Sequence, residues 1–291
     1  WSALVAAMAS ACGGSRGPAA TASDGLEPSA EPRRGVQKNG PLLWRVQPQD
    51  GGPASFVLGT IHIGVSASEL SPAVWQAIDR SQVFIMETDL AAASDAGAQG
   101  PVLADALEPD AWNQLERLVG VERARVLAGE GLDVAYGAVL QALYPTHQSM
   151  DLELSRSAQL RGLQSRHLED WRQQLALGRK YFGLEALMEL LNPRGPVRGE
   201  LEELISAYRR GDIAAIEAMA LAPEDIAAAP QRFEELFFAR NRRWVKLITT
   251  WLRDRPCFIA VGAGHLAGKR GLLNLLSERG FAVQRVTPES P

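Results

Sequence analysis

The sequence predicts an α/β fold in which two strand–helix–strand units form one mostly parallel or mixed sheet, with a large helical insertion between them. An apolar strand ends in Gly-x-x-His twice, in FVLGTIH at 56–62 and in FIAVGAGH at 258–265. Each of these strands is followed by a helical pattern and then by another strand. Between the two units, residues 91–254 have the apolar spacing that is typical of helices.

The first unit covers residues 42–90. It begins with the strand LLWRVQ, turns at the Gly-Gly-Pro of 51–53 and continues with the strand SFVLGT. Ser71 is a good N-cap and Pro72 suits the first position of a helix, which we expect to end near Arg80. VFIMET at 83–88 follows as the third strand.

The second unit covers residues 255–287 and has the same order. The strand CFIAVGAGH precedes a helix around GKRGLLNLLSERG, which Gly280 closes, and FAVQRV forms the last strand. Strand–helix–strand connections have a fixed hand, so we expect the two units to lie parallel in the sheet.

The insertion between the units is predicted to be helical and to pack over the sheet. Its clearest apolar repeats are YGAVLQALY, LEALMELL and IAAIEAMAL. Together with the two units it makes a predicted domain of residues 42–288.

The N-terminal residues indicate export. Residues 1–12, WSALVAAMASAC, are apolar and small, like the end of a secretory segment, and Ala9 to Cys12 resemble the lipobox of a bacterial lipoprotein. Residues 13–41 contain little that can be buried and are predicted to form a disordered linker. These features predict an exported protein of the cell envelope, on the periplasmic side or at the outer membrane, with Cys12 as its lipid anchor. The alternative is an Ala-rich leader with an incidental cysteine.

The composition argues against several classes of partner. The 30 basic residues are scattered among 34 acidic ones, and the net charge is −4, so nucleic-acid binding is not expected. No apolar stretch reaches the roughly 18 residues that span a bilayer, which leaves a possible N-terminal lipid as the only membrane contact. Two cysteines make no disulfide framework, and Cys257 is expected to be a buried apolar residue. The oligomeric state is left open.

Two histidines are the first candidates for chemistry. His62 and His265 follow the ends of their strands, and ligand sites of α/β sheets lie beyond the carboxyl ends of strands. Gly59, Gly262 and Gly264 allow the backbone to turn and allow another group to come close. Two imidazoles at one edge can hold a divalent metal or act as a general base. The alternative is that both histidines only cap their strands.

A carboxylate and an arginine are further candidates. Glu87 comes at the end of an apolar strand, where a buried carboxylate needs a partner or a metal; the alternative is an exposed residue at the start of a loop. Arg240 interrupts the apolar stripe of the helix predicted for 234–254, so it needs an anion such as Glu87, Asp151 or a substrate carboxylate. The alternative is that its charged end reaches water. Asn241, its neighbour, can hydrogen-bond in the same site.

These residues coincide with segments that resemble the TraB/GumN family, which includes the pheromone-shutdown protein PrgY and the Tiki metalloproteases. The segments are GTIH at 59–62, MET around Glu87, MD at 150–151, RN at 240–241 and VGAGHLAGKRGLLNLLSERGFAVQRV at 261–286. The resemblance extends from about residue 42 to 287 and is loose in the helical middle. The family is described by two Gly-x-x-His motifs, a glutamate and an arginine, which match His62, His265, Glu87 and Arg240.

The resemblance implies a metal-dependent hydrolase, most simply a peptidase, that acts on a peptide or protein substrate. His62, His265 and Glu87 would hold a divalent ion, manganese or cobalt by similarity to Tiki proteins, and Arg240 would neutralise an oxyanion or bind a substrate carboxylate. Asp151 would be an additional ligand or would orient one. Two alternatives remain: a peptide-binding protein without catalysis, and a metal or haem carrier. His147 and His167 are expected to serve the surface or packing.

Overall fold

The structure, a computed structural model, describes residues 40–89, 102–146 and 149–287. The predicted leader, the Cys12 anchor, most of the linker and His147 lie outside these described residues. Within them, no helix has both the length and the apolar character needed to cross a bilayer.

Six strands of the described residues form one mixed sheet, in the order β4-β3-β5-β2-β1-β6. Their bounds are β1 Leu43–Pro48, β2 Ser55–Thr60, β3 Val83–Met86, β4 Gln164–His167, β5 Cys257–Gly262 and β6 Phe281–Arg285.

The central strands are parallel, as predicted. β5 pairs in parallel with β2 and with β3, and β3 pairs in parallel with β4. β1 is antiparallel to both β2 and β6, which makes the sheet mixed. The two units interleave, since β5 of the second lies between β2 and β3 of the first. The carboxyl ends of β2, β5, β3 and β4 therefore meet at one edge.

Helices cover the sheet and build most of the insertion. Their bounds are α1 Pro72–Asp79, α2 Leu103–Ala106, α3 Pro109–Val119, α4 Val121–Leu127, α5 Leu132–Leu143, α6 Met150–Leu160, α7 Trp171–Tyr181, α8 Leu184–Leu191, α9 Pro196–Arg210, α10 Ile213–Ala220, α11 Pro223–Ala228, α12 Pro230–Phe233, α13 Ala239–Asp254 and α14 Leu272–Ser277. Short 3-10 turns occupy Ala67–Glu69 and Ala263–His265, and Glu234–Phe238 is a π-helical segment.

The insertion differs from the prediction at β4, a strand that the sequence pattern did not indicate. Its four residues, QSRH, contain no apolar side chain, and β4 lies at the edge of the sheet, paired to β3 alone. Edge strands do not need the apolar run that marks a buried strand. His167 consequently lies in a strand rather than in a helix.

The helix predicted for 234–254 is present, but it begins with the π-helical turn Glu234–Phe238 before α13. Such single π turns inside helices are often found at functional sites. Its apolar stripe faces the protein interior, because Phe237, Trp244 and Ile248 are buried. The same face carries Arg240.

The core is built around β2, β3 and β5, whose residues are all buried. Strands covered on both faces are apolar throughout, as in other parallel sheets. Cys257 is fully buried at the start of β5, as predicted, and burial raises the pKa of its thiol to about 11. It is therefore a packing residue that does not ionise near neutral pH.

Candidate functional site

The candidate site lies at the sheet edge where four parallel strands end. His62 follows β2 by two residues, Glu87 directly follows β3, and His265 follows β5 by three residues. Arg240 reaches the same place from α13, and Asp151 from the first turn of α6. All five residues are buried, so tertiary structure brings together side chains from distant parts of the chain.

His62 is oriented by Asp151. Nδ1 of His62 lies 2.7 Å from Oδ2 of Asp151, and Oγ1 of Thr60 donates to the other carboxylate oxygen, Oδ1, over 3.0 Å. A carboxylate accepts hydrogen bonds, so Nδ1 carries the proton and the lone pair of the neutral ring is on Nε2. Ser149 accepts a hydrogen bond from the backbone N–H of Leu152 and thereby caps α6, which carries Asp151.

Glu87 is buried and hydrogen-bonded, not exposed in a loop. Its Oε1 accepts the backbone N–H of Gly262 at 2.8 Å, while its Oε2 accepts from Arg240 at 2.7 Å and from Gln174 at 3.0 Å. Burial raises the pKa of Glu87, although the charge of Arg240 and the nearby His62 act in the opposite direction. Its carboxyl group thus holds its proton more strongly than an exposed one.

Arg240 has every N–H engaged. Nε donates to Glu169, Nη1 donates to the Leu236 carbonyl oxygen and to Nε2 of His265, and Nη2 donates to Glu87 and Glu169. A guanidinium has five N–H groups, so none remains for a substrate in this arrangement. Its guanidinium also stacks over the ring of Trp244, 4.5 Å from the centroid. The anion predicted for Arg240 is therefore Glu87 together with Glu169, and not Asp151.

His265 is held as one tautomer. The side-chain amide of Asn241 donates to the carbonyl oxygens of His265 and Arg270, so its Oδ1 accepts from Nδ1 of His265 at 2.7 Å. The lone pair of His265 is consequently on Nε2, where Arg240 donates over 3.1 Å. Burial, together with the charge of Arg240, holds the pKa of His265 well below its usual value. The imidazole is neutral near neutral pH.

Two of the three predicted glycines have a visible task at the site. A Cβ on Gly59 would lie 3.0 Å from Leu266 and 3.2 Å from Ala263, so the segment that carries His265 packs against this position. Gly262 contributes its backbone N–H to Glu87, at a φ of −51° that any residue can adopt. Gly264 is buried within the 3-10 turn that ends at His265.

Two site residues were missed in the sequence. Glu169 follows β4 by two residues, and Gln174 lies on α7 and donates to Glu87. Glu169 follows a strand end, as Glu87 does, but β4 lacks the apolar run that would mark it as a strand in the sequence.

A cleft lies next to Gly64, in the segment that follows β2, and the five candidate site residues do not line it. The cleft has a volume of about 640 Å³ and is bounded by Gly64, by the end of α5 and by α9. Gly64 follows His62 by two residues, and its φ of +66° is natural only for glycine. A Cβ there would lie 2.5 Å from Ile205.

The three residues predicted to hold a metal ion have suitable donor types, but Arg240 contacts two of them in this arrangement. Nε2 of His265 already accepts an N–H of Arg240, and the same guanidinium lies 2.7 Å from Glu87. A fixed positive charge thus lies beside two of the three donors. Within residues 40–89, 102–146 and 149–287, no three His, Cys, Asp or Glu side chains are grouped to hold a metal. Metal binding stays a prediction.

The sequence is similar to two known proteins and matches one protein family. The chain is 36% identical over 58 residues to a metalloprotease TIKI homolog of Nematostella vectensis, which is 19% of this chain and 12% of that protein. It is 33% identical over 61 residues to metalloprotease TIKI2 of Danio rerio, 20% of this chain and 12% of that protein. The chain thus spans about an eighth of each of these relatives. No solved structure matches it significantly.

The family match is much longer than these two. The TraB/PrgY/gumN family profile matches residues 42–285, which includes all six strands and every candidate site residue described above. The chain belongs to the TraB/PrgY/gumN family.

Proposed function

We propose that this chain is a hydrolase that cleaves peptide bonds. The observation that carries the proposal is the His62–Asp151 pair, which lies at the same sheet edge as the buried carboxyl group of Glu87. A histidine oriented by a carboxylate can take a proton from water and return it to a leaving group, which is what hydrolysis of a carbonyl compound needs.

The roles follow from the hydrogen bonds. Asp151 holds the proton of His62 on Nδ1, so Nε2 accepts a proton from the water that attacks the substrate carbonyl carbon. When the carbon–nitrogen bond breaks, His62 passes this proton on to the leaving amine, so the same ring acts first as general base and then as general acid. Glu87 stays a carboxylate in its ion pair with Arg240. Arg240 holds Glu87 in place, and its contact with Nε2 of His265 leaves neither Arg240 a donor nor His265 a lone pair for substrate.

A metal requirement is the finer part of the proposal. Two relatives of the chain are named metalloproteases, and two imidazoles with one carboxylate are ligands that transition ions accept. Manganese or cobalt are the ions to test first. For His265 to bind a metal ion, the hydrogen bond from Nη1 of Arg240 to Nε2 of His265 must first break.

The test of hydrolysis is a peptide-library digest followed by mass spectrometry. The full chain is incubated with the library after chelation and again with manganese or cobalt added, next to His62→Gln. His167→Gln is the matched control, since His167 takes no part in the hydrogen-bond network described above. We expect cleavage by wild type and His167→Gln and a loss in His62→Gln. Peptide binding without cleavage under every condition would contradict the proposal and favour a peptide-binding protein.

The test of metal binding is a titration of manganese, cobalt and zinc into wild type, His62→Ala and His265→Ala. Stoichiometric binding that both variants lose would establish the three-residue site. Binding that only His62→Ala loses would leave His265 as a residue that holds Arg240. The absence of binding in wild type would overturn the metal requirement.

Location at the cell envelope is the last part of the proposal. It is supported by the secretory pattern of residues 1–12, by the similarity of Ala9 to Cys12 to a lipobox and by the linker composition of 13–41. Mass spectrometry of protein extracted from membranes tests it. A diacylated cysteine at position 12 is expected, and an unmodified Cys12 would rule out the anchor.

A further inference from the structure

Glu169 and Glu87 share the guanidinium of Arg240. Oε1 of Glu169 accepts from Nη2 over 2.7 Å, and both of its oxygens lie 3.1 Å from Nε. Glu87 accepts from Nη2 through Oε2 alone, also over 2.7 Å. The side chain of Glu169 is only 2% exposed, so its charge is as deeply buried as that of Glu87.

The sharing of the Arg240 N–H groups between Glu169 and Glu87 determines which oxygen of Glu87 is bound by Arg240. An arginine that faces a single carboxylate tends to bind both of its oxygens in parallel. Here the Nε edge of Arg240 is already taken by Glu169, and Oε1 of Glu87 accepts only the short backbone hydrogen bond from Gly262. That oxygen lies close to His265, whose Nε2 is 4.0 Å from it.

The same division sets the contact with His265. With Nε and Nη2 directed to the carboxylates, Nη1 is left to donate to the Leu236 carbonyl oxygen and to His265. If the guanidinium turned to bind Glu87 with two N–H groups, this arrangement of Nη1 would be lost.

We propose that Glu169 is a positioning residue that holds Arg240 by its Nε edge, so that Arg240 binds Glu87 through one oxygen and His265 through Nη1. Its effect on catalysis rests on the proposed hydrolase function, but its effect on His265 does not. Glu169 acts through Arg240 and has no contact with substrate in this role.

Two variants test the proposal, with a third as control. Glu169→Gln keeps the size of the side chain and removes its charge. Glu169→Asp keeps the charge but is one methylene shorter, so it can bind Arg240 only by drawing it away from Glu87. Glu235→Gln is the matched control, because Glu235 also pairs with a cation and a tyrosine, Lys180 and Tyr181, but outside the site.

The first measurement is ¹⁵N NMR of the full chain labelled on its histidines, of which there are four. In wild type, His265 should be the Nδ1–H tautomer, with the Nε2 signal displaced by the N–H of Arg240. We expect that signal to move towards the value of an unbonded nitrogen in Glu169→Gln and Glu169→Asp, and to stay unchanged in Glu235→Gln. An unchanged His265 signal in both Glu169 variants would overturn the proposal.

The second measurement is peptide hydrolysis. We expect kcat to fall by about 10- to 100-fold in Glu169→Gln, the usual effect of losing an orienting partner, with KM changed by less than about threefold. Glu169→Asp should recover part of that loss. If Glu169→Gln does not fold, Glu169→Asp decides alone, and wild-type kcat in it would contradict the role. If wild type hydrolyses no peptide, the proposed function is wrong. The NMR result still decides whether Glu169 positions Arg240 against His265.

Discussion

Arg240 and Glu87 form an ion pair of 2.7 Å in which the two side chains are only 1% and 4% exposed. Both charges have left water, and each is compensated by the other together with further hydrogen bonds. The pair joins α13 to the end of β3, two elements that are far apart in the sequence. The same ion pair therefore stabilises the packing of α13 against the sheet and orients Glu87 in the candidate site. Removing either partner should affect both the stability of the protein and the geometry of the site.

Replacing Arg240 should destabilise the protein strongly. Arg240→Met leaves Glu87 and Glu169 buried without their cation, which costs about 3–5 kcal/mol of unfolding free energy. Urea denaturation measures the loss. The control is Arg125→Met, which breaks the exposed pair with Glu122 and should cost at most about 1 kcal/mol. Equal losses in the two variants would contradict the structural role of Arg240.

Removing the charge of Asp151 should slow hydrolysis more than it weakens folding. Asp151→Asn keeps the size of the side chain but no longer fixes the proton of His62 on Nδ1, so kcat should fall by about 10- to 100-fold. Steady-state kinetics with a cleaved library peptide measure it. Thr60→Val removes only the hydrogen bond to the other oxygen of Asp151 and should have a smaller effect. A kcat of Asp151→Asn within about twofold of wild type would exclude the pair from catalysis.

The burial of His265 should appear in the pH dependence of stability. Its pKa in the folded protein is well below the unfolded value of 6.5, so the folded state binds fewer protons. The stability that depends on the neutral ring is present above pH 6.5 and is lost as the pH falls below it. Between about pH 7.5 and 5.5 wild type should lose about 1–1.5 kcal/mol more than His265→Gln.

Denaturant unfolding at the two pH values measures this difference. Glu87, whose raised pKa has the opposite effect on stability at lower pH, is present in both proteins. The same pH dependence in wild type and variant would mean that His265 is not neutral and buried in solution.

A methyl group at Gly59 should disturb the contact between β2 and the segment that carries His265. The new Cβ would lie 3.0 Å from Leu266 and 3.2 Å from Ala263, so we expect Gly59→Ala to cost about 1–3 kcal/mol. Thermal or urea unfolding measures this cost. Gly129→Ala is the control, since a Cβ there meets nothing within 4 Å and φ is not positive. If Gly59→Ala lowers the unfolding free energy no more than Gly129→Ala does, the segment that carries Ala263 and Leu266 can move to accommodate the methyl group.

The sequence by itself determined the strands that carry the site and most of its residues. Buried parallel strands are apolar throughout, so β2, β3 and β5 stand out as short apolar runs, and a polar residue directly beyond such a run lies at the sheet edge. His62, Glu87 and His265 were found in this way. Arg240 was found because a charge interrupts an apolar helical stripe, which is also a local signal.

Only the tertiary structure decided how these residues contact one another. The interleaving of the two units, with β5 between β2 and β3, depends on long-range packing that no local pattern encodes. Glu169 was hidden because β4 is an edge strand without an apolar run. The use of all five N–H groups of Arg240, and of the lone pair of His265, follows from distances between segments up to 153 positions apart in the chain. Hydrogen bonds depend on tenths of an ångström, and sequence spacing cannot supply that precision.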